Sequence, residues 1–178
     1  MVENGLNRAA SNMSGAYPTC ISEVDQPMAL NDDIKLFAQV PLFQGFSEDQ
    51  LRLIAFGAER RRIAAGHMLF RQYSPAECAF VICNGRFDLW TEERDSKREV
   101  KATVGGGCLL SELALFTLCE RKFTAVARED SEVIRITRIL FHRMIEEFPD
   151  VAAVVSERIR GNIAALATSA AAMQNRFL

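Results

Sequence analysis

The chain has 178 residues, close to the size of one domain, and its 49% hydrophobic and 25% charged residues are ordinary globular usage. The 21 basic and 23 acidic residues leave a formal net charge of −2, so the chain has no general attraction for nucleic acid or anionic membranes. Its 2 histidines leave few ways to build a metal enzyme on imidazole ligands.

Cysteine usage and apolar runs indicate the compartment. The 5 cysteines form no Cys-x-x-Cys pair, and their odd number suits reduced thiols better than a disulfide framework. No run approaches the ~18 consecutive apolar residues of a membrane-spanning helix. No basic start followed by an apolar stretch marks a secretory signal. We therefore expect a soluble cytoplasmic protein without membrane contact.

Residues 1–31 are rich in Asn, Ser, Ala and Gly and show no sustained period, so they are predicted to form a flexible arm. Asp32 or Asp33 can cap a first helix, so the folded domain is expected to begin at residue 32. Pro41 is predicted to bend or end that helix. The apolar face of this helix is formed by Ile34, Phe37, Val40 and Leu42.

A second helix is predicted to begin after Ser47, since Glu48, Asp49 and Gln50 follow it in the pattern of a capping box. Gly57 suits its end. The apolar residues of this helix are Leu51, Leu53, Ile54 and Phe56.

The middle of the chain changes its hydrophobic period from 3.6 to 2, which indicates strands. Short segments rich in β-branched or aromatic residues lie near 59–64, 67–72, 78–83, 86–93, 98–104, 122–128 and 132–137. Strands at such regular intervals predict an all-β sandwich or roll. Asn84-Gly85 predicts a hairpin between two of them, because both residues tolerate a positive φ.

Helical spacing returns after Arg138, with a short helix predicted over 139–148 and stopped by Pro149. A longer helix follows within 149–178. Its apolar residues alternate spacings of four and three: Ile159, Ile163, Leu166, Ala170, Met173 and Phe177. This heptad seam either packs on the chain's own β domain or joins two copies in a coiled-coil homodimer.

The segment 105–127 carries the chemistry. Its glycines at 105–107 lead into a helix-forming stretch, 112–116, with room for only about two turns before a strand. The first N–H groups of a helix have no internal partner and attract anions, and Arg121 on the return adds a charged donor fork. Glu112 can accept a hydrogen bond from a sugar hydroxyl. A sugar phosphate is the natural ligand of such a set, although a Glu112–Arg121 salt bridge is the plain structural alternative.

The order of these elements resembles the cyclic nucleotide-binding domain of the catabolite-activator and fumarate-nitrate-regulator superfamily, of protein kinase A regulatory subunits and of cyclic nucleotide-gated channels. The family's cassette reads Phe-Gly-Glu-Leu-Ala-Leu and then Pro-Arg-Ala-Ala-Thr. Here residues 110–115 read Leu-Ser-Glu-Leu-Ala-Leu, and 120–124 read Glu-Arg-Lys-Phe-Thr. The resemblance implies a mainly β fold: an antiparallel β-roll of the jelly-roll kind over 32–148, with N-terminal helices, a short cassette helix and a long C-terminal helix over 149–178.

The resemblance also implies a role for each matching residue. Glu112 would bind the ribose 2′-hydroxyl and Arg121 the exocyclic phosphate oxygens. The phosphate would also face the N–H groups of Leu113, Ala114 and Lys122. Ser111 would lie against the ribose, and the Thr124 hydroxyl would either meet the ligand's edge or serve as an ordinary strand threonine.

Four positions depart from the family pattern. Ser111 replaces a glycine whose backbone conformation a side chain adopts less easily. Glu120 replaces the proline and brings a negative charge, while Lys122 and Phe123 replace small residues. These changes support an alternative in which the chain is a β-roll interaction or scaffold protein that no longer binds nucleotide.

The preferred function is a sensory module that binds cAMP or cGMP and signals to a protein effector through movement of the C-terminal helices. Direct DNA binding is not expected, because the residues after Pro149 form one predicted helix and leave no room for a recognition helix. Catalysis, a metal and a cofactor are not expected either. His67 and His142 stand apart in the sequence, and no nucleophile or P-loop motif is present.

Overall fold

The computed structural model describes residues 26–92 and 98–153, together with residues 155 and 157. The first 25 residues of the predicted arm and the heptad seam from 159 to 177 lie outside these ranges. Among the helices within them, none has the length and hydropathy to cross a membrane.

The described residues contain three complete α-helices and two short 3₁₀ turns. In chain order they are α1 (Gln26–Gln39), the turn Pro41–Phe43, α2 (Glu48–Gly57), the turn Glu112–Leu115 and α3 (Arg138–Glu147). Phe148 is not helical and separates α3 from a further helix, which begins at Pro149.

Within the described ranges, ten strands form the β-roll, and every pairing between them is antiparallel. They are β1 (Glu59–Ile63), β2 (Met68–Phe70), β3 (Pro75–Ala76), β4 (Cys78–Asn84), β5 (Arg86–Glu92), β6 (Arg98–Gly105), β7 (Leu109–Leu110), β8 (Cys119–Glu120), β9 (Thr124–Ala127) and β10 (Ser131–Thr137). One sheet has the order β1-β10-β4-β7, the second β2-β9-β5-β6, and β3 pairs with β8. The predicted β-roll with flanking helices is confirmed.

The turn at Asn84-Gly85 joins the two larger sheets instead of closing a hairpin. β4 and β5 flank this turn, but β4 pairs with β10 and β7, whereas β5 pairs with β6 and β9. The predicted hairpin is therefore wrong, although Gly85 has the expected positive φ of 80°. A Cβ atom on Gly85 would collide with the side chain of Ser131. This turn therefore needs a residue without a side chain as well as one that tolerates a positive φ.

Strand β4 is buried on both faces of its sheet. Along β4, Ala79 and Val81 pack against the helices, whereas Phe80 and Ile82 face the interior of the roll. Successive side chains of a strand point to opposite faces, so one strand serves two cores. This sheet is the common wall between the helical side of the molecule and the interior of the roll.

Helix α1 begins six residues before the predicted start, at Gln26. Asp33 lies inside the helix and is 8% exposed, and its carboxylate forms an ion pair with Arg60 of β1. The residue predicted as a cap therefore anchors α1 to the roll. The helix ends before Pro41, as predicted, and a 3₁₀ turn begins at that proline.

Helix α2 begins with the predicted capping box. The Ser47 hydroxyl accepts from the Gln50 N–H at 3.3 Å, and the Gln50 side chain accepts from the Ser47 N–H at 2.8 Å. Only part of the predicted apolar set is buried: Phe56 is 83% exposed, whereas Ile54 is fully buried. Phe56 lies two residues after Ile54, about 200° around the helix, and so faces outward.

Candidate functional site

The predicted cassette is held by strand pairing at both ends. β7 pairs with β4 on the N-terminal side, and β8 pairs with β3 on the C-terminal side. Between them, Glu112–Leu115 form a 3₁₀ turn in place of the predicted helix of two turns. The bonds from Ala114 N–H to the Ser111 carbonyl and from Phe116 N–H to the Leu113 carbonyl have the tighter three-residue spacing.

A cavity of about 310 Å³ opens between the cassette and the inner face of the roll. This volume is at the lower end of the range for small-molecule sites. The cavity is lined by Phe70, Leu89, Leu109, Leu110, Ser111, Glu112, Leu113, Cys119, Glu120, Lys122 and Phe123. Its wall is mainly apolar, and its polar groups are concentrated on the cassette.

Ser111 has a backbone conformation that favours glycine, the residue of the family pattern at this position. Its φ of 60° and ψ of 43° lie in the left-handed region. This conformation costs a non-glycine residue about 1–2 kcal/mol. The expected strain at this position is therefore present, and it lies in the wall of the cavity.

Glu112 is the acidic residue at the start of the cassette turn and lines the cavity. Its side chain is half-buried, and this burial raises the pKa of the carboxyl group above its ordinary value. A carboxylate that has lost part of its hydration gains from a hydrogen bond donated by a ligand hydroxyl.

Arg121 is buried beneath the cavity wall and does not face bulk water. It is 4% exposed, and its guanidinium carbon lies 4.5 Å from the ring centre of Phe70 and 5.4 Å from that of Phe80. Its Nη2 donates to the Sγ of Cys78 at 3.4 Å. Among the residues that the structure describes, no atom accepts a hydrogen bond from its Nε or Nη1. The salt bridge to Glu112, which was the structural alternative to a phosphate site, is not formed by Arg121 in this part of the chain.

Phe70 contacts both the guanidinium and the cavity. It lines the cavity, and its ring also stacks on Arg121. Arg121 itself is not among the residues that line the cavity.

Phe123 lines the cavity without filling it. Its half-buried ring packs with the core residues of the roll, and the cavity keeps its volume of about 310 Å³ beside it. Glu120 and Lys122 are exposed and also line the cavity, so they place one charge of each sign at its mouth.

The remaining predicted residues differ in their access to the cavity. Leu113 lines it and is 41% exposed. Ala114 is fully buried, and its N–H would have to leave the Ser111 carbonyl, 3.0 Å away, to bind a phosphate. Thr124 is 1% exposed, and its hydroxyl accepts from the Gln72 N–H at 3.0 Å. The roles assigned to Ala114 and Thr124 stay predictions.

Sequence reasoning missed the far wall of the cavity. Phe70 lies on β2 and Leu89 on β5, and both come to the cassette only through the pairing of β2 and β5 with β9. Their alternation along the strands indicates an inward side chain. It does not indicate which inward side chains meet the cassette.

The described residues bring together no group of three or more His, Cys, Asp or Glu side chains that could hold a metal ion. The half-buried Cys83 is also poorly suited to nucleophilic chemistry. Burial raises the pKa of its thiol to about 11, which keeps the thiol protonated near neutral pH.

The sheet order and the flanking helices define a β-roll domain with a short cassette between β7 and β8. The family model of the cyclic nucleotide-binding domain matches residues 60–148, which are half of the chain. The chain therefore belongs to the cyclic nucleotide-binding domain family.

Three relatives illustrate the range of this family. A cyclic nucleotide-binding-like protein from Brucella abortus has a solved structure with 43% identity and a TM-score of 0.60, covering 65% of this chain and 98% of that one. The cyclic AMP receptor protein of Thermus thermophilus is 27% identical over 67% of this chain and 57% of its own length. A lysophospholipase from Chaetomium globosum is 30% identical over 64% of this chain, which spans only 7% of that enzyme.

Proposed function

We propose that the chain is a sensory module that binds cAMP or cGMP in the cassette cavity and signals through its C-terminal helices. One observation carries the proposal: the buried guanidinium of Arg121 lies one ring away from the cavity, with Nε and Nη1 lacking an acceptor. A buried donor left without a partner costs about 1–3 kcal/mol. The donor forks of a guanidinium are Nε with Nη2 and Nη1 with Nη2, so an anion with two oxygens bound at either fork would satisfy one of these two nitrogens.

The other cassette groups supply the second half of a sugar phosphate site. Glu112 would accept from the ribose 2′-hydroxyl, and Ser111 would lie against the sugar. The N–H groups of Leu113, Ala114 and Lys122 would face the phosphate, with Thr124 at the ligand's edge. The apolar wall suits the base, since the faces of a purine are apolar. Phe70 would turn aside to let the phosphate reach Arg121.

Signalling would follow from closure of the helices after Thr137 over the bound ligand. A ligand drives such a closure only to the extent that it binds the closed form more tightly. The seam over 159–177 would either cover the base or join a second copy, and the output would reach a protein effector. DNA binding, membrane binding and catalysis by this chain are not part of the proposal.

The names of the relatives support a regulatory role. One is a cyclic AMP receptor protein, and the match to the lysophospholipase covers 7% of that enzyme. The chain is thus proposed to work as the binding module of a regulatory system. The free thiols at Cys78, Cys83, Cys108 and Cys119 suit the cytoplasm, where such thiols stay reduced.

A second candidate is a scaffold that has lost its ligand. It is favoured by the carboxylate of Glu120 at the cavity and by the apolar ring of Phe70 between the cavity and Arg121. In that case Arg121 would hold the two phenylalanine rings by cation–π contacts and would never meet an anion.

Calorimetric titration of the full chain with cAMP and with cGMP separates the two candidates. The sensory proposal expects saturable heat with at least one nucleotide. It also expects Arg121→Met to weaken binding about 100-fold, because two charge-assisted hydrogen bonds are lost. Arg128→Met, at an exposed arginine, is the matched control and should bind like the native chain.

The stability of the same variants gives a second measurement. Arg121→Met removes a buried charge and should raise the free energy of unfolding of the ligand-free chain, as expected for a residue kept for binding. No heat and no thermal shift at millimolar nucleotide would exclude the sensory function and leave the scaffold.

A further inference from the structure

Arg138 connects helix α3 to the cassette through its side chain. It is the first residue of α3, and its half-buried guanidinium lies against two backbone carbonyls. Nε donates to the Ala114 carbonyl at 2.8 Å, and Nη2 donates to the Ala76 carbonyl at 2.7 Å. Its own N–H donates to the Glu77 carbonyl at 3.1 Å.

One carbonyl lies in the cassette and the other in the strand that pairs with its C-terminal end. Ala114 lies in the 3₁₀ turn, directly after Glu112 and Leu113, which line the cavity. Ala76 lies in β3 and is paired with Cys119 of β8, which also lines the cavity. One guanidinium therefore joins the cassette turn and strand β3 to the first turn of α3.

A short hydrogen-bonded path leads from the cavity to this guanidinium. The Ser111 carbonyl accepts from the Ala114 N–H at 3.0 Å, and the Ala114 carbonyl accepts from Arg138. Bonds from a charged donor are stronger than neutral ones, and consecutive bonds polarise one another. The rings of Phe116 and Phe141 pack edge to face with centres 5.2 Å apart. This apolar contact also joins the end of the cassette turn to helix α3.

We propose that Arg138 is a positioning residue that couples the state of the cavity to helix α3. The inference rests on the proposed sensory function and adds the residue through which occupancy reaches the helix. A ligand that shifts the 3₁₀ turn against β3 changes both bonds of Arg138 together, so α3 responds to the spacing of the cavity walls. A lysine could not replace it, because an ammonium group lacks the planar fork that meets two separate carbonyls.

The first test uses the full chain without ligand. Hydrogen exchange is measured at the Ala114, Phe116 and Thr117 amides, whose N–H groups donate within the cassette. Arg138→Gln should speed exchange there about tenfold, the factor that corresponds to one bond from a charged donor. The amides between β5 and β6 should keep their native rates, which separates a local effect from general destabilisation.

The matched control is Arg143→Gln, the same substitution at an exposed residue of α3. It should leave the cassette amides unchanged. Arg138→Lys keeps the charge and serves if the glutamine variant is poorly folded, and it should recover only part of the protection. Native exchange rates at the three cassette amides in both Arg138 variants would overturn the proposal.

The second test adds cAMP to the same proteins. In the native chain, binding should change exchange at the first turn of α3, where the Leu140 N–H donates to the Thr137 hydroxyl. Arg138→Gln should still bind cAMP within about tenfold, since it leaves the cavity wall intact, while the response of α3 is lost. An unchanged α3 response in this variant would refute the coupling. If the native chain binds cGMP and not cAMP, the same test is run with cGMP. If it binds neither nucleotide, the sensory function fails, and the ligand-free test alone decides whether Arg138 holds the cassette to α3.

Discussion

Two residues other than glycine have a positive φ in the described chain, and both adjoin the cassette. Ser111 has φ 60° and precedes the 3₁₀ turn, whereas Tyr73 has φ 64° and donates its N–H to the Arg121 carbonyl at 2.8 Å. Strained backbone persists only where the surrounding structure enforces it. Here one strained residue directly precedes Glu112 in the chain, and the other is hydrogen-bonded to the backbone of Arg121.

Replacing Ser111 with glycine should stabilise the ligand-free chain. Glycine removes the steric cost of the left-handed conformation. Part of this gain is offset because glycine loses more chain entropy on folding, so the free energy of unfolding should rise by about 0.5–1 kcal/mol. Urea denaturation of Ser111→Gly against the native chain measures it. Ala64→Gly, at an exposed position without a positive φ, is the control and should lower stability. A loss of stability in both variants would show that Ser111 is not strained.

Glu112 should make the stability of the chain depend on pH. Desolvation raises its pKa in the folded state, so the unfolded chain ionises first as the pH rises. The native chain should therefore lose stability from about pH 4.5 upward until the folded pKa is passed. The Glu112→Gln variant has no carboxyl group at this position and should not lose stability in this way. The free energy of unfolding of the variant, relative to that of the native chain, should therefore increase between about pH 4.5 and the folded pKa and then stay constant. A difference that stays constant from pH 4 to pH 8 would show that burial of this carboxyl carries no penalty.

At the scale of elements, a charged cluster fastens α1 to the roll. Arg60 of β1 forms ion pairs with Asp33 of α1 and, at 2.6 Å, with Glu132 of β10. Asp33 is almost fully buried, and the side chain of Arg60 is about a third exposed. Removing one member of a buried pair leaves an uncompensated charge, which costs more than the pair itself contributes.

Arg60→Met should lower the free energy of unfolding by about 2 kcal/mol, less than for a fully buried pair because Arg60 is partly hydrated. The amides of α1 should lose exchange protection before those of the sheets. Asp33→Asn in the same chain should restore part of the stability, as expected for residues in contact. Arg61→Met, at an exposed arginine of the same strand, is the control. Equal losses in the two arginine variants would contradict the anchoring role.

The elements that could be predicted from the sequence are those with a sustained period or a local cap. The strands around 78–84 and 131–137 agree with the prediction within a residue or two. The first is a short continuous run of apolar residues, and the second mixes β-branched residues with polar ones in nearly alternating order. The strands β3, β7 and β8 have two residues each and show no period. They exist through pairing across the cassette, which only the tertiary fold determines.

The candidate site also has a part that could be predicted and a part that could not. One motif, residues 110–124, contains four of the predicted residues that line the cavity: Ser111, Glu112, Leu113 and Lys122. The stacking of Phe70 on Arg121 could not be predicted, since it joins residues 51 positions apart that no motif links. Under the proposed function, that ring controls whether an anion reaches the guanidinium.

At the scale of the whole molecule, one sheet lies between the helices and the cavity. β4 contributes to both cores, and it pairs with β7, which leads into the cassette. Val151 and Val155, in the helix that begins at Pro149, are each 2% exposed and pack in the helical core. Any movement of that helix over the cavity must therefore release these contacts.

Val155→Ala tests whether ligand binding moves the last described helix. The substitution should lower the stability of the ligand-free chain by about 1–1.5 kcal/mol, since a buried side chain loses two methyl groups. If the ligand-bound form no longer holds Val155 in the helical core, the variant destabilises only the free form, and cAMP should bind up to about tenfold more tightly. Val100→Ala, at an exposed valine of β6, should change neither stability nor affinity. Calorimetry that finds equal affinity in Val155→Ala and the native chain would show that this part of the helix stays in place on binding, and closure would then have to arise from residues further along the chain.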